Sequence, residues 1–588
     1  MENQTTHIQQ ILSDKALVNS ILNAGAYNHP PSSAQQVITF DEWIFDSSFD
    51  SGNIQKVEQV GPTEFDFWVA PDNFKTEQES QKRFWFYFQV FPRKPIEKGE
   101  ERVVTFNIKN MATMHHRQYS DSMVPVYKSI PYSDTWKYLP TKLTKYSLGK
   151  ENIELSFEYK FTSADKRVYL AFSFPYSYTD VIKFVDSINH LYTDDKDIYF
   201  HRELLTLTKE LRRIDLLTIT AKGPKFEEAI AKYLKERVLE NLFPLIQSEI
   251  NDLSLLHKMN PKLLKRPPIF PKQYIFITAR VHAAEAGGSY MFEGFVKRLL
   301  DKSDEVSRRL LEKFVFILIP ILNPDGVARG NSRYDLFARD PNDIFNNPKF
   351  ETEPPQYAVI ELAKELGKNK RLWMFVDMHA HCSREGAFVF GTLGKEKEQR
   401  LDTRAFIRIL DCYSKHFDFE GSTWNACNFE APNGVAKNAV MFHTHCHHSY
   451  TLETSYHRGI KDSERYVRFT VEDLKKRWDI RNQLKKAEAE GIDCKVADDD
   501  LLEKYFPKIR YNFVPEHFEE IGDALRHAIL EVVGDHPNSK LKDTCFGSLE
   551  KLIQFQQSLP IISLTPKVNK EERLQKSEPE NLSQDGKA

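Results

Sequence analysis

The rhythm of apolar and polar positions changes once, decisively, along the chain. From Ile38 to about Phe174, the runs FDFWVA, RFWFYFQVF, RVVTFNIKN, IELSFEYKF and VYLAFSFPY carry aromatic and β-branched residues, often in alternation, between turn-rich pieces. A period of two marks half-buried strands, and short strands at such spacing predict an antiparallel β-sandwich over 38–175. From about 176 the pattern lengthens. KFEEAIAKYLKERVLENLFPLIQSEI (225–250) has the composition and spacing of a helix, and KRPPIFPK (265–272) then punctuates the chain. The near-continuous apolar runs YIFITARV (274–281), FVFILIPIL (314–322) and RLWMFVDMH (371–379) follow, with the helix-like YMFEGFVKRLLDK and YAVIELAKELGKN between them. Strands apolar on both faces, alternating with helices, predict a mixed-sheet α/β domain over 176–534. Within it, 461–500 is charged and helix-prone and is expected to form an exposed insertion. VPEHFEEIGDALRHAILEVVG (514–534) reads as the amphipathic helix that closes the domain. Residues 1–37 form a polar lead-in and 535–588 a largely disordered tail.

Composition narrows the function classes. The 588 residues are 41% apolar and 12% aromatic, enough for large cores, which excludes global disorder. Lys and Arg number 81 against 84 Asp and Glu, a net charge of −3. That balance argues against a basic nucleic-acid binder and gives a polybasic membrane binder no support. The six cysteines lie in the C-terminal half without a CxxC pair, so zinc-ribbon and thioredoxin readings fall away and reduced thiols are expected. The first thirty residues lack a basic start followed by an apolar run, and the longest apolar run is far short of the ~20 residues of a spanning helix. A soluble, cytoplasmic protein with neither nucleic-acid nor membrane partners is expected.

Three groups of residues could carry chemistry. His282-Ala-Ala-Glu285 follows one apolar strand, and His379 ends another. An isolated HxxE pair is common, but strand ends are where α/β sheets collect their sites, and two His with one Glu form the ligand set of a catalytic zinc. Glu453, in Ser-Tyr-Thr-Leu-Glu-Thr, is either a solvent-facing acid on an edge strand or a general base. Asn323-Pro-Asp-Gly followed by Gly330-Asn-Ser-Arg333 is turn chemistry, and Arg333 is either a surface charge or a fixed cation facing an oxyanion. The run His443-Thr-His-Cys-His-His448 reads as a polar lead into the next strand rather than as a second metal site.

Taken in order, strand–HxxE, LNPDGV then GNxR, DxH after a strand, and SYTLE resemble the funnel-type zinc metallocarboxypeptidases, and more closely the cytosolic carboxypeptidases. That branch includes enzymes that shorten polyglutamate chains on tubulin. FDSSFDSGNIQKV, FYFQV, FNIKN, FPYSYTD and LLTIT are similar to the branch's own N-terminal sandwich, so the resemblance covers about 38–534. It implies that His282, Glu285 and His379 bind one Zn2+ per chain. Glu453 would take a proton from zinc-bound water and pass it to the leaving amine, and Arg333 would polarise the scissile carbonyl. Asp340 would orient a zinc-binding His, and Asn342 would help hold the terminal carboxylate. The implied activity removes C-terminal or side-chain-linked glutamates from tubulin or other glutamate-rich tails, with microtubule or cilium association.

One departure stands out. The family reads Asp-Leu-Asn-Arg where this chain reads Asp340-Pro341-Asn342-Asp343, so an Asp replaces the Arg that grips the free C-terminus. Like charges about 4 Å apart repel by roughly 4 kcal/mol at an effective dielectric near 20. Arg339, Arg384 and Lys437 are the candidates for a replacement cation, Lys437 because Gly434-Val-Ala-Lys437 falls where the family has a basic loop. The alternative is an impaired or specificity-shifted homologue that binds acidic tails. Asp343→Arg is expected to raise glutamate release from a polyglutamate peptide; a fall would give Asp343 a role of its own.

Overall fold

The structure, a computed structural model, describes residues 32–559 except 116–118, 120–122, 224–266, 268–269, 427–432, 462–469 and 490–508. The helix expected at 225–250, most of the lead-in, part of the insertion and the tail from 560 lie outside the described residues.

The N-terminal strands form two facing sheets. One holds six strands in the order Val37–Thr39, Trp43–Asp46, Tyr87–Pro92, Asp165–Ala171, Val126–Pro131, Lys137–Tyr138. The other holds five: Lys56–Gly61, Glu64–Trp68, Glu101–Ala112, Asn152–Thr162, Lys145–Leu148. Alternate residues point inward, as Val104, Phe106 and Ile108 do on one strand, and Phe106 stacks on its cross-strand neighbour Phe157 at 5.3 Å. The sandwich is not wholly antiparallel: Glu64–Trp68 pairs in parallel with Glu101–Ala112. Between those two strands the chain crosses to the other sheet to lay down Tyr87–Pro92, and it returns running in its original direction.

The second domain is built on an eight-stranded mixed sheet. Its order is Ile198–Leu207, Arg213–Ala221, Phe314–Ile319, Gln273–Ala279, Leu372–His381, His448–Ser455, Ala387–Leu393, Thr423–Ala426. The central four strands are parallel, and antiparallel pairs flank them. Both faces of the sheet are covered. Ile275, Phe316 and Met374 pack under helices Ala286–Leu299, Lys397–Tyr413 and Pro515–Val532, whereas Phe276, Ile317 and Phe375 pack under Pro354–Gly367 and Ala436–Thr444. Burial on both faces is why these strands read as unbroken apolar runs. Gly288 lets the start of helix Ala286–Leu299 press onto the sheet, since a Cβ there would lie 2.5 Å from the Met378 carbonyl oxygen.

Two expectations change. The fold does not end at 534: a short 3-10 turn at Lys540–Asp543 and helix Leu549–Ser558 bury Leu541, Phe546 and Leu552 in the main core. The insertion is anchored rather than simply exposed. In helix Val471–Ala489, Leu474 and Trp478 are buried, and Trp478 stacks on Trp424 with the Arg404 guanidinium 5.0 Å from its ring. An indole plane and a cation–π contact hold its first half down, which charge composition alone does not reveal. No helix among the described residues is long and apolar enough to cross a membrane. Cys382, Cys446 and Cys545 are free thiols.

Burial also sets a pH dependence. His448 is held well below the usual imidazole range by burial and the neighbouring His447. His457 is pushed down to about 3 by burial and Arg458, and neither of its ring nitrogens finds a partner. Both stay neutral when folded but take a proton below about pH 6.5 when unfolded, so stability is full above that pH and falls as pH drops. Each contributes up to about 1.4 kcal/mol per pH unit in that window. Urea unfolding between pH 7 and 4.5 is expected to show this loss, and His457→Phe to flatten it while keeping stability at pH 7.

Candidate active site

The site lies where the central parallel strands end. After Gln273–Ala279 the chain turns at Arg280, whose φ is +61°. The buried Arg280 guanidinium donates to the carbonyl oxygens of Ala283 and Tyr176 and to Ser289 Oγ, which fixes the turn carrying His282 and Glu285. His379 comes from the next strand, and Glu453 from the one beyond, directly opposite His379 in parallel register. Register partners share a sheet face, so Glu453 stands beside His379. All four side chains are buried.

His282 Nδ1 lies 2.7 Å from Glu285 Oε1, and His379 Nδ1 lies 2.9 Å from Glu285 Oε2. The two Nδ1 atoms are 3.3 Å apart. The outer ring nitrogens meet carboxylates: His282 Nε2 is 2.9 Å from Asp340 Oδ1, and His379 Nε2 is 2.6 Å from Asp377 Oδ2. Thr278 Oγ1 donates to the other Asp377 oxygen. With a metal on each Nδ1, Nε2 would be the donor to these carboxylates, which hold the two rings in place. Two imidazole nitrogens and a carboxylate whose donor atoms lie within 4.8 Å of one another suit a divalent zinc ion with an open position. This is the one such cluster among the described residues.

Charge is shared tightly around these groups. Burial would raise the Glu285 carboxyl, but His282 and His379 hold it well below the carboxylate range. Burial likewise opposes the charge on Asp340, which His282 and Arg333 keep strongly acidic. Arg333 Nε donates to Asp340 Oδ2 at 2.7 Å, and Arg333 Nη1 lies 3.5 Å from Glu285 Oε1. Glu453 differs. Burial pushes it up to about 7 against the pull of His379, and its Oε2 has no hydrogen-bond partner.

These residues line a cavity of about 640 Å³, with Asn342, Asp343 and Lys437 also in its wall. Asn342 Oδ1 accepts the Ala436 N–H. Asp343 is partly buried, and burial together with Asp340 raises its carboxyl. Gly434 lies against it so closely that a Cβ would fall 1.6 Å from the Asp343 carbonyl oxygen. Lys437 is buried, its Nζ 2.9 Å from both Thr392 Oγ1 and Asn438 Oδ1. The other two candidate cations are elsewhere. Arg339 is bound to Asp335 and Glu353, and Arg384 donates to the Gly421 carbonyl while stacking on Phe388 and Phe390. Neither lines the cavity.

Residues 210–383 match the family described as zinc carboxypeptidase, and residues 45–173 match the cytosolic carboxypeptidase N-terminal domain. The two matched segments, 45–173 and 210–383, belong to the zinc carboxypeptidase family and its cytosolic branch. It is 25% identical over 546 residues to cytosolic carboxypeptidase-like protein 5 of Rattus norvegicus, covering 71% of this chain and 62% of that protein. It is 28% identical over 421 residues to cytosolic carboxypeptidase 6 of Mus musculus, covering 71% and 67%. The chain thus spans about three fifths of the length of the first curated relatives it matches. Two solved structures share the fold. A metallo-carboxypeptidase from Burkholderia cenocepacia has a TM-score of 0.54 and 20% identity, covering 84% of this chain and 99% of that one. One from Pseudomonas aeruginosa has a TM-score of 0.52 and 17% identity, covering 83% and 98%.

Two residues of this carboxypeptidase site were not singled out from sequence. Asp377 stands two positions before His379 on one strand, and i, i+2 residues share a face, so the signal was present. Asp72 gave none. This buried sandwich carboxylate accepts the backbone N–H groups of Ser332, Arg333 (2.8 Å) and Tyr334 (2.7 Å). Ser332 Oγ accepts the N–H groups of Phe84 and Trp85 in turn. On the far side, the Ser332 carbonyl accepts the N–H of Ala284, within the zinc-ligand turn. The sandwich therefore holds the loop that carries Arg333. Burial raises Asp72 to about 6 despite these three N–H groups. Asp72→Asn turns a donor toward them, at a cost of about 1–3 kcal/mol. A melting temperature lower by several degrees and faster hydrogen exchange at 332–334 are expected; unchanged exchange there would remove the clasp.

Proposed function

We propose that the protein is a zinc-dependent metallocarboxypeptidase that removes C-terminal or side-chain-linked glutamates from acidic protein tails, those of tubulin among them. The observation that carries the reading is Glu453, buried beside His379 with an unpartnered oxygen on the cavity that Arg333 also lines. Zinc, when bound by His282, Glu285 and His379, supplies a Lewis acid for carbonyl and water activation. Glu453 takes the proton of the attacking water and hands it to the leaving amine. Arg333, steadied by Asp340 and by the Asp72 clasp, donates to the scissile carbonyl oxygen as negative charge gathers there. Asp340 and Asp377 keep the ligating rings in one tautomer and one orientation.

Specificity for glutamate rests on Lys437, a buried lysine in the cavity wall whose acceptors include Thr392 Oγ1 and Asn438 Oδ1. A substrate carboxylate is a stronger partner for it than a hydroxyl or an amide. Asn342 borders the same space. The family to which the sandwich belongs accords with a cytoplasmic setting, and tubulin tails place the enzyme at microtubules or cilia. Asp343 favours a second reading, in which the chain keeps the zinc fold but is impaired or acts on a different tail.

The test is glutamate release from a polyglutamate-tailed peptide by wild type and Glu453→Gln, with zinc measured on both. Zinc near one per chain in each, with release reduced about 10²–10⁴-fold in the variant, is expected. Zinc bound without release by the wild type would overturn the deglutamylase reading, and a panel of other tails would then separate altered specificity from lost activity. Lys437→Glu is expected to damage turnover of acidic tails selectively.

A further inference from the structure

An exopeptidase must recognise the negative charge of a chain end, and Asp343 offers the wrong sign for it. Three Lys or Arg side chains line the cavity: Arg333, Lys437 and Lys82. His381 lines it too, its Nδ1 already accepting the Ser383 N–H at 3.2 Å. Arg333 is engaged with Asp340 and Glu285, and Lys437 is buried with its ammonium on Thr392 and Asn438. Lys82 belongs to the sandwich domain and is half-buried. Among the described residues its ammonium makes no hydrogen bond or ion pair; its one contact is with the Tyr334 ring, 5.6 Å from the centroid.

Its mounting is rigid. The Lys82 carbonyl accepts the Asp72 N–H at 2.9 Å, and the Lys82 N–H donates to Ser80 Oγ. The same Asp72 grips the backbone of Arg333 through its carboxylate, and Phe84, two residues beyond Lys82, donates to Ser332 Oγ. One residue thus fixes both Lys82 and Arg333, and Tyr334, under the Lys82 ammonium, directly follows Arg333. Lys82 and Asp343 line the same cavity, with Asp340 and Asn342 beside them in its wall. An unpaired ammonium on a fixed backbone there is what a carboxylate needs and what the Asp-Pro-Asn-Asp segment no longer supplies.

We infer that Lys82, reaching across from the sandwich domain, binds the terminal α-carboxylate of the substrate in place of the arginine that Asp343 has replaced. The inference rests on the carboxypeptidase reading above but is tested separately from it. The probe is a labelled glutamate peptide with a free C-terminus, compared with the same peptide as its C-terminal amide. Affinity for both is measured on the full-length, zinc-loaded chain carrying Glu453→Gln, so that no turnover intervenes. A preference for the free acid of about tenfold or more is expected, lost in Lys82→Ala and kept in Lys82→Arg, with affinity for the amide unchanged. The same substitution in the otherwise wild-type chain should raise KM for the free acid and leave kcat within about twofold. An acid-over-amide preference untouched by Lys82→Ala, or absent from the parent, overturns the inference. If no tail is cleaved but the binding preference depends on Lys82, the inference stands and the catalytic reading falls.

Discussion

Buried charge is the constraint around which this molecule is organised. Four carboxylates, two imidazoles and a guanidinium, buried or largely so, converge at the ends of the central parallel strands. Charge in such a place is tolerated only when it is paired and hydrogen-bonded. The arrangement meets that demand in layers: Glu285 between two imidazoles, each imidazole backed by Asp340 or Asp377, and Arg333 across Asp340. What is left over is informative. Two Nδ1 atoms face one another, and one oxygen of Glu453 faces nothing. The first is the requirement of a cation, and the second that of a group which exchanges protons.

The sandwich is part of this arrangement rather than a companion to it. Its core continues into Ala284, Ala380 and Tyr456 of the carboxypeptidase domain, and Phe84 and Phe172 close over the Tyr456 ring. Asp72 adds a polar link at the same junction. The loop is thereby clamped on both sides, through its backbone by Asp72 and Ala284 and through the Ser332 and Asn331 side chains by the sandwich, which fixes the position of Arg333. The cavity wall draws residues from both domains.

Much of the fold was legible because burial writes itself into local periodicity. The 274–281, 314–322 and 371–379 runs became the buried parallel strands almost residue for residue, since a strand covered on both faces leaves no room for polar positions. The alternating runs of the N-terminal third became the sandwich. The failures are as physical. A parallel pair inside the sandwich depends on which way the chain returns, not on which residues are apolar. The final helix was hidden because its polar, Gln-rich face dominates its composition, although Leu552 and Phe555 are buried. The charged insertion reads as solvent-exposed because its buried anchors, Leu474 and Trp478, stand among charged residues that dominate its composition.

At the site, residue type and spacing were enough to single out the chemical inventory: His282, Glu285 and His379 as candidate donors, Glu453 and Arg333 as the candidate acid–base and electrophilic groups, and Asp343 as the departure. Residue type and position along a strand are local properties, and a sequence displays them. Tertiary structure alone decided how those groups are coupled. It set Glu453 opposite His379, sank Lys437 into the wall, tied Arg339 and Arg384 elsewhere, and brought Asp72 and Lys82 to Arg333 from about 250 residues away. Pairing between residues so distant is fixed only when the two domains bury their shared surface, and no local pattern encodes the partner that a buried charge will find there.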